Sequence, residues 1–167
     1  MTVSTARAGL PRGVGAGDKW IEVKIVPGTL TAYEGARPVY ATLISPGKGG
    51  VPAPGQDHAK YATTALGTFP IEWKDRVDTM SSEPREPIVM WFTDVPHIQY
   101  LRAPLAMHVS LWHEDFGNPK SAECVNVSPE DGHFLFNWTT PALPEGWGGI
   151  RPGDGNGKST PVVVTAR

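Results

Sequence analysis

The stretch Leu105–Asn126, LAMHVSLWHEDFGNPKSAECVN, holds the chain's only cysteine and two of its five histidines. Its opening, Leu105 to Ser110, sets apolar residues around His108, the pattern of a strand that delivers one imidazole to a site at its end. Asp115-Phe-Gly-Asn-Pro119 follows with turn chemistry that folds the chain back on itself. Cys124 can therefore lie beside His108 although fifteen residues separate them. A cysteine beside a histidine is the arrangement of nucleophilic catalysis: the base takes the thiol proton, the thiolate attacks a carbonyl, and a third group fixes the ring. The competing reading is a buried core thiol, because free cysteine is among the most buried residue types. Spacing alone leaves both open.

The pattern extends further. His108, Trp112-His113, Phe116-Gly117, Pro119, Ser121, Cys124-Val125-Asn126 and Ser128-Pro129 resemble, in order, the active-site segment of the YkuD-type L,D-transpeptidases. That family's signature is a histidine followed downstream by Ser/Thr-His-Gly-Cys-x-Asn. Lys19–Val23, Leu30–Gly35, Thr64–Phe69, Thr79-Met80 and Asp94–Pro96 look like further blocks of the same family. The resemblance implies a mainly β fold, a sandwich or barrel of mixed sheets with one short helix after the cysteine. It makes residues 19–167 the catalytic domain and residues 1–18 a linker or trimmed N-terminal segment, in keeping with the Gly, Ala and Pro content of residues 8–17.

The resemblance also implies a mechanism. Cys124 attacks the amide between the third residue of a peptidoglycan tetrapeptide stem and its terminal D-alanine, and His108 takes the thiol proton and passes it to the leaving amine. The backbone carbonyl of Val109 orients the ring. The N–H groups of Glu123 and Cys124 receive the oxyanion, each such donor being worth about 3 kcal/mol. Ser121 and Asn126 occupy motif positions that shape the loop or touch substrate. Tyr100 and Trp112 are either cleft aromatics that contact substrate or core aromatics. The acyl group then passes to a side-chain amine of a second stem, giving a 3→3 cross-link, or to water, giving carboxypeptidase activity. Such a thiol is a carbapenem target, the chemistry needs no cofactor, and the resemblance places the domain in the cell envelope.

Two departures fall inside the signature, where Ala122-Glu123 stands in place of His-Gly. A carboxylate next to the thiol opposes thiolate formation by like-charge repulsion. Losing the glycine removes backbone freedom where an N–H is to face the oxyanion. A second reading follows, a catalytically impaired domain that binds wall peptides without turnover.

Composition bounds the alternatives. The 167 residues suit one domain with a real core, and a formal net charge of −2 without a basic block argues against nucleic acid as a partner. No apolar run is long enough to span a membrane, and the first eighteen residues lack the apolar core of a secretory signal. His108, His113, Asp115, Glu123 and Cys124 could in principle hold zinc, but they match no recognised ligand spacing, so no metal is expected. His113 reads as a surface residue or one supporting the site from behind.

The chain's nineteen glycines and seventeen prolines, spread without a repeat, indicate short strands and many turns. Strands are expected at 20–26, 29–34 and 38–45 as a meander, then at 65–73, 88–92, 97–101 and 161–166, the last buried because it is uniformly apolar. Residues 46–63, with His58, read as an exposed loop, and 74–87 as a polar loop broken by proline. Ser128 as N-cap, Pro129 at the first position and acids in the first turn predict a helix running to Trp138, with Phe134, Leu135 and Trp138 on its apolar face. Gly153–Ser159 lacks the spacing of a phosphate loop and reads as a turn.

Overall fold

The computed structural model describes residues 9–81, 90–151 and 158–167. Its elements in chain order are β1 (Lys19–Lys24), β2 (Thr29–Glu34), β3 (Arg37–Leu43), α1 (His58–Tyr61), β4 (Gly67–Pro70), β5 (Trp73–Ser81), β6 (Trp91–Arg102), β7 (Leu105–Val109), β8 (Val125–Val127), α2 (Pro129–Trp138), β9 (Gly149–Ile150) and β10 (Pro161–Thr165). They form two five-stranded mixed sheets, ordered β3-β2-β1-β10-β4 and β8-β7-β6-β5-β9. The expected mainly β architecture with a helix after the cysteine is what the chain adopts.

Alternation builds the core. Ile21 and Val23 of β1, Leu30 and Ala32 of β2, and Val162 and Val164 of β10 meet Leu105, Met107 and Val109 of β7 and Val125 and Val127 of β8 in one buried cluster. The opposite face of the first sheet carries a smaller cluster, where Trp20 stacks on Tyr33 at 4.2 Å and Val14 covers them. This second face explains why β10 alternates between buried and half-buried positions: it lies inside a sheet covered fully on only one side. Its apolar composition does not make it buried throughout.

Helix α2 starts as its sequence predicts, with the Ser128 hydroxyl accepting from the Asp131 N–H at 3.2 Å and Pro129 in the first turn. Its buried residues are Gly132, Leu135 and Phe136. Phe134 and Trp138 are half-buried, and Phe134 stacks on Tyr40 of β3 at 4.0 Å, so α2 bridges the two sheets. Gly132 permits the approach: a Cβ there would sit 2.2 Å from Cγ2 of Val109.

Three sequence expectations are corrected. Residues 74–81 are strand, not loop, because the β5–β6 hairpin runs past the body of the protein and Arg76–Thr79 are exposed on both faces, leaving no apolar alternation to read. β6 is one strand rather than two: Asp94 and His97, both at φ 54°, bend it around Pro96 without ending the ladder. The stretch 46–63 is not exposed throughout, since Pro46 and Gly47 are buried and α1 lies within it, capped by Asp57. The expected loop residues 82–87, the start of a strand at 88–89 and most of the glycine-rich turn at 153–157 lie outside the described residues.

Lys74 of β5 is fully buried and donates to the carbonyls of Phe136 at 2.5 Å, Thr139 at 3.0 Å and Pro141 at 2.9 Å. As the ammonium, its three N–H groups tie the C-terminal end of α2 to the second sheet, where the helix leaves carbonyls without intrahelical donors. Burial opposes the charge and, with the like charge of Lys19, pulls its pKa from 10.5 down to about 7. Lys74→Met is expected to lower unfolding stability by on the order of 3 kcal/mol in urea titrations, because three carbonyls lose their donor. Between about pH 7 and 10.5 the unfolded chain binds the proton that the folded chain has released, so wild-type stability rises with pH across that window; the variant lacks this rise. Gly132→Ala is expected to lower stability by about 1–3 kcal/mol by the same measurement, despite alanine's better helix propensity, because the added methyl is forced against Val109.

Candidate active site

Strand β7 is buried at all five positions because both of its faces are covered. Leu105, Met107 and Val109 face the sandwich core, so Ala106 and His108 face the other way. β8 pairs with β7 in parallel, Met107 opposite Val125 and His108 opposite Asn126. Asn126 and His108 thus share one face of adjacent strands, which lie about 4.8 Å apart, and Cys124, the residue before β8, packs against the cluster that includes Ala106 of that face. Cys124, Asn126 and His108 line a cleft of about 330 Å³, together with Tyr100, Trp112, Ser121, Ala122 and Glu123. Every site residue expected from the sequence, apart from Val109 with its backbone role, borders this cleft.

His108 is 4% exposed, and its Nδ1 lies 2.9 Å from the carbonyl oxygen of Val109. A carbonyl only accepts, so Nδ1 carries the proton and Nε2 keeps its lone pair. Burial pulls the imidazole down to about 4; the Val109 bond opposes that shift, and the neighbouring His113 adds to it. The ring is therefore a neutral base at neutral pH. Cys124 is half-buried, with Sγ 3.6 Å from the carbonyl oxygen of Pro104.

The loop carrying Cys124 is held by backbone bonds the sequence did not reveal. Ser45 and Asn126 exchange N–H···O bonds at 2.9 Å each, Lys48 donates to Ser121 at 2.9 Å, and Lys120 and Ser121 donate to Pro46 at 2.9 and 3.1 Å. The Thr64 hydroxyl donates to the Glu123 carbonyl at 2.7 Å and accepts from the Gly47 N–H at 2.8 Å. Gly47 is required there, since a Cβ would lie 2.4 Å from the Ala62 carbonyl oxygen. The Ser121 hydroxyl donates to the Cys124 carbonyl, so its hydrogen bond shapes the loop. A serine, a glycine and a threonine carry little signal for such a role in a single sequence.

The β5–β6 hairpin and the loop after β7 supply the walls. Trp112 stacks on Phe92 with ring centroids 4.0 Å apart and planes 11° apart, and its indole lies 5.9 Å from the His108 ring. Tyr100 stacks on Trp73 at 4.2 Å. Burial, then the charges of Asp78 and Asp75, push its phenol up to about 12, so it remains a hydrogen-bond donor. Trp112 and Tyr100 thus face the cleft while resting on other aromatics. Met80, Met90, Phe92 and Lys120 also line it, and Lys120 pairs with Asp115 at 2.7 Å. His58 lies outside it, bonded to Thr63 at 2.9 Å beside a separate cavity of about 40 Å³. His113 sits behind the cleft, its Nε2 3.1 Å from the side-chain nitrogen of Asn126. Among the described residues no three His, Cys, Asp or Glu side chains are grouped as a metal site, and no helix is long and apolar enough to cross a membrane.

The fold is shared with solved proteins. An L,D-transpeptidase from Mycobacterium smegmatis is similar in structure, with a TM-score of 0.64 and 17% identity over 89% of this chain and 59% of that one. The catalytic domain of the Enterococcus faecium L,D-transpeptidase has a TM-score of 0.63 and 19% identity, over 89% of this chain and 98% of that one. L,D-transpeptidase 3 from Mycobacterium tuberculosis, solved with a faropenem-derived adduct, has a TM-score of 0.62 and 16% identity, over 88% of this chain and 60% of that one. The chain therefore spans about three fifths of the mycobacterial proteins and nearly all of the isolated enterococcal domain. No curated protein matches it in sequence. The family model of the L,D-transpeptidase catalytic domain, YkuD, matches residues 18–164, and the chain belongs to that family.

Proposed function

We propose that the chain is a cysteine-dependent peptidoglycan L,D-transpeptidase acting in the cell envelope. The observation that carries this reading is that Cys124, just before β8, and His108 of β7 border one cleft. His108 Nε2 takes the thiol proton as Cys124 attacks the carbonyl carbon of the third stem residue. The backbone N–H groups of Glu123 and Cys124 receive the oxyanion. The C–N bond to D-alanine breaks, and the departing amine takes the proton back from His108. A thioester remains on Cys124, and the side-chain amine of a second stem displaces the thiolate to give a 3→3 cross-link. Water in place of the amine gives a carboxypeptidase. Tyr100, Trp112, Ser121 and Asn126 are the assigned contacts to the stem or shapers of its cleft.

Glu123 and Ala122 at the cleft favour one competing reading, a domain that binds stems without turnover. The faropenem-derived adduct of the M. tuberculosis relative makes a β-lactam the natural probe. Incubation with a carbapenem is expected to add one β-lactam mass in intact-protein spectra, and Cys124→Ala is expected to abolish the adduct. An unmodified wild type would instead favour the binding domain, and steady-state turnover on a defined tetrapeptide separates cross-linking from hydrolysis. Because protonation of His108 removes the base, the acid limb of the acylation rate is expected near pH 4 rather than 6.5. A midpoint near 6.5 would show that the ring is not the buried base assigned here.

A further inference from the structure

The family signature puts an imidazole two residues before the nucleophile and an amide two residues after it. In this chain the first position is Ala122 and the second is Asn126, and both border the cleft. Asn126 is 2% exposed, directly opposite His108 in the β7–β8 register. Its side-chain nitrogen lies 3.1 Å from Nε2 of His113, which enters from the loop that follows β7. The His113 ring packs against Phe116 with centroids 4.9 Å apart. Burial, then Lys120, hold its pKa below the ordinary value. With the amide nitrogen facing the ring, Asn126 donates and Nε2 holds the ring's lone pair.

The dyad has two further polar atoms, Asn126 Oδ1 and His113 Nδ1. Both are buried, and neither has a hydrogen-bond partner among the described residues. Buried polar atoms are nearly always paired, and two orphans in one dyad at the edge of a cleft point to a use beyond packing. Rotating the Asn126 amide exchanges which of its atoms faces His113 and still leaves one unpaired.

We propose that His113 is a positioning residue for the Cys124 site: acting through Asn126, it supplies from the β7–β8 crossover the imidazole that the signature carries at position 122. It fixes the Asn126 amide with its nitrogen toward the ring, leaving the oxygen as an acceptor for an N–H of the bound acyl donor. This rests on the reading of Cys124 as a nucleophile toward stem peptides and their β-lactam mimics.

Two substitutions separate the hydrogen bond from the packing. His113→Gln keeps an acceptor near the Nε2 position and loses the ring; His113→Phe keeps the ring against Phe116 and loses the acceptor. The readout is the rate of Cys124 acylation by a carbapenem, followed by intact mass, with Cys124→Ala as the blank and melting temperature as the check on folding. His113→Phe is expected to slow acylation by at least about tenfold, as displaced reacting groups do, with His113→Gln within about threefold of wild type. Adding Ala122→His to His113→Phe is expected to recover most of the loss, which a purely structural ring would not allow. A wild-type rate in His113→Phe overturns the proposal, as does a slow His113→Gln, or a His113→Phe loss that Ala122→His leaves unchanged. If the wild type itself is never acylated, the nucleophile reading falls and the proposal falls with it. An acylated wild type with a wild-type His113→Phe removes the proposal alone.

Discussion

The site depends on the parallel pairing of two short strands. Antiparallel neighbours can be joined by two residues, but parallel ones need a crossover of a dozen or more. Here that crossover runs from Ser110 to Cys124 and is irregular chain rather than helix. So long a structureless connection in a compact domain is ordinarily either functional or loose. This one is not loose, because its backbone groups are met from the first sheet. Gly117 donates to the Ile44 carbonyl at 3.0 Å, the Ser45 hydroxyl donates to the Asp115 carbonyl at 3.1 Å, and Gly28, at φ 61°, lies so close to the Gly117 backbone that a Cβ there would collide with it. One sheet therefore carries the imidazole and its partner strand, while turns of the other sheet fix where the sulfur stands.

The electrostatics follow from the same burial. A strand covered on both faces gives His108 no solvent to stabilise a charge, so the ring rests neutral with its lone pair fixed by the Val109 carbonyl. The same economy applies on the far side of the second sheet, where Lys74 meets three carbonyls at the end of α2 instead of a carboxylate. The helix that follows the nucleophile is thereby held at both ends, by the Ser128 cap beside β8 and by Lys74 beside β5.

Much of this was legible in the sequence where a feature is local or strongly patterned. The meander, the capped helix, the strand bearing His108 and the signature around Cys124 each announce themselves through turn residues, caps or alternation within a few positions. The distal half of β5 was not legible, because a strand exposed on both faces alternates nothing, and neither was the continuity of β6, because Asp-Val-Pro reads as a turn unless a neighbouring strand is there to keep the ladder going. Thr64, Gly47 and Ser45 were missed as site scaffolding for a related reason: a hydroxyl or glycine that serves another segment's backbone carries no periodicity. His113 reads from the sequence as a surface residue or one behind the site, and its bond to Asn126 is a tertiary fact that spacing does not encode.

The cleft has a floor and walls of opposite character. The floor, on β7 and β8, consists of residues with almost no exposure, where most replacements disturb the core. The wall from the overhanging hairpin includes positions such as Thr79 and Ser81, on the exposed outer half of β5. Substitutions there cost the fold little. Descendants of this sequence are accordingly free to diversify what they grip while inheriting unchanged the apparatus that reacts, so within this scaffold evolvability is concentrated in the hairpin and conservatism in the paired strands.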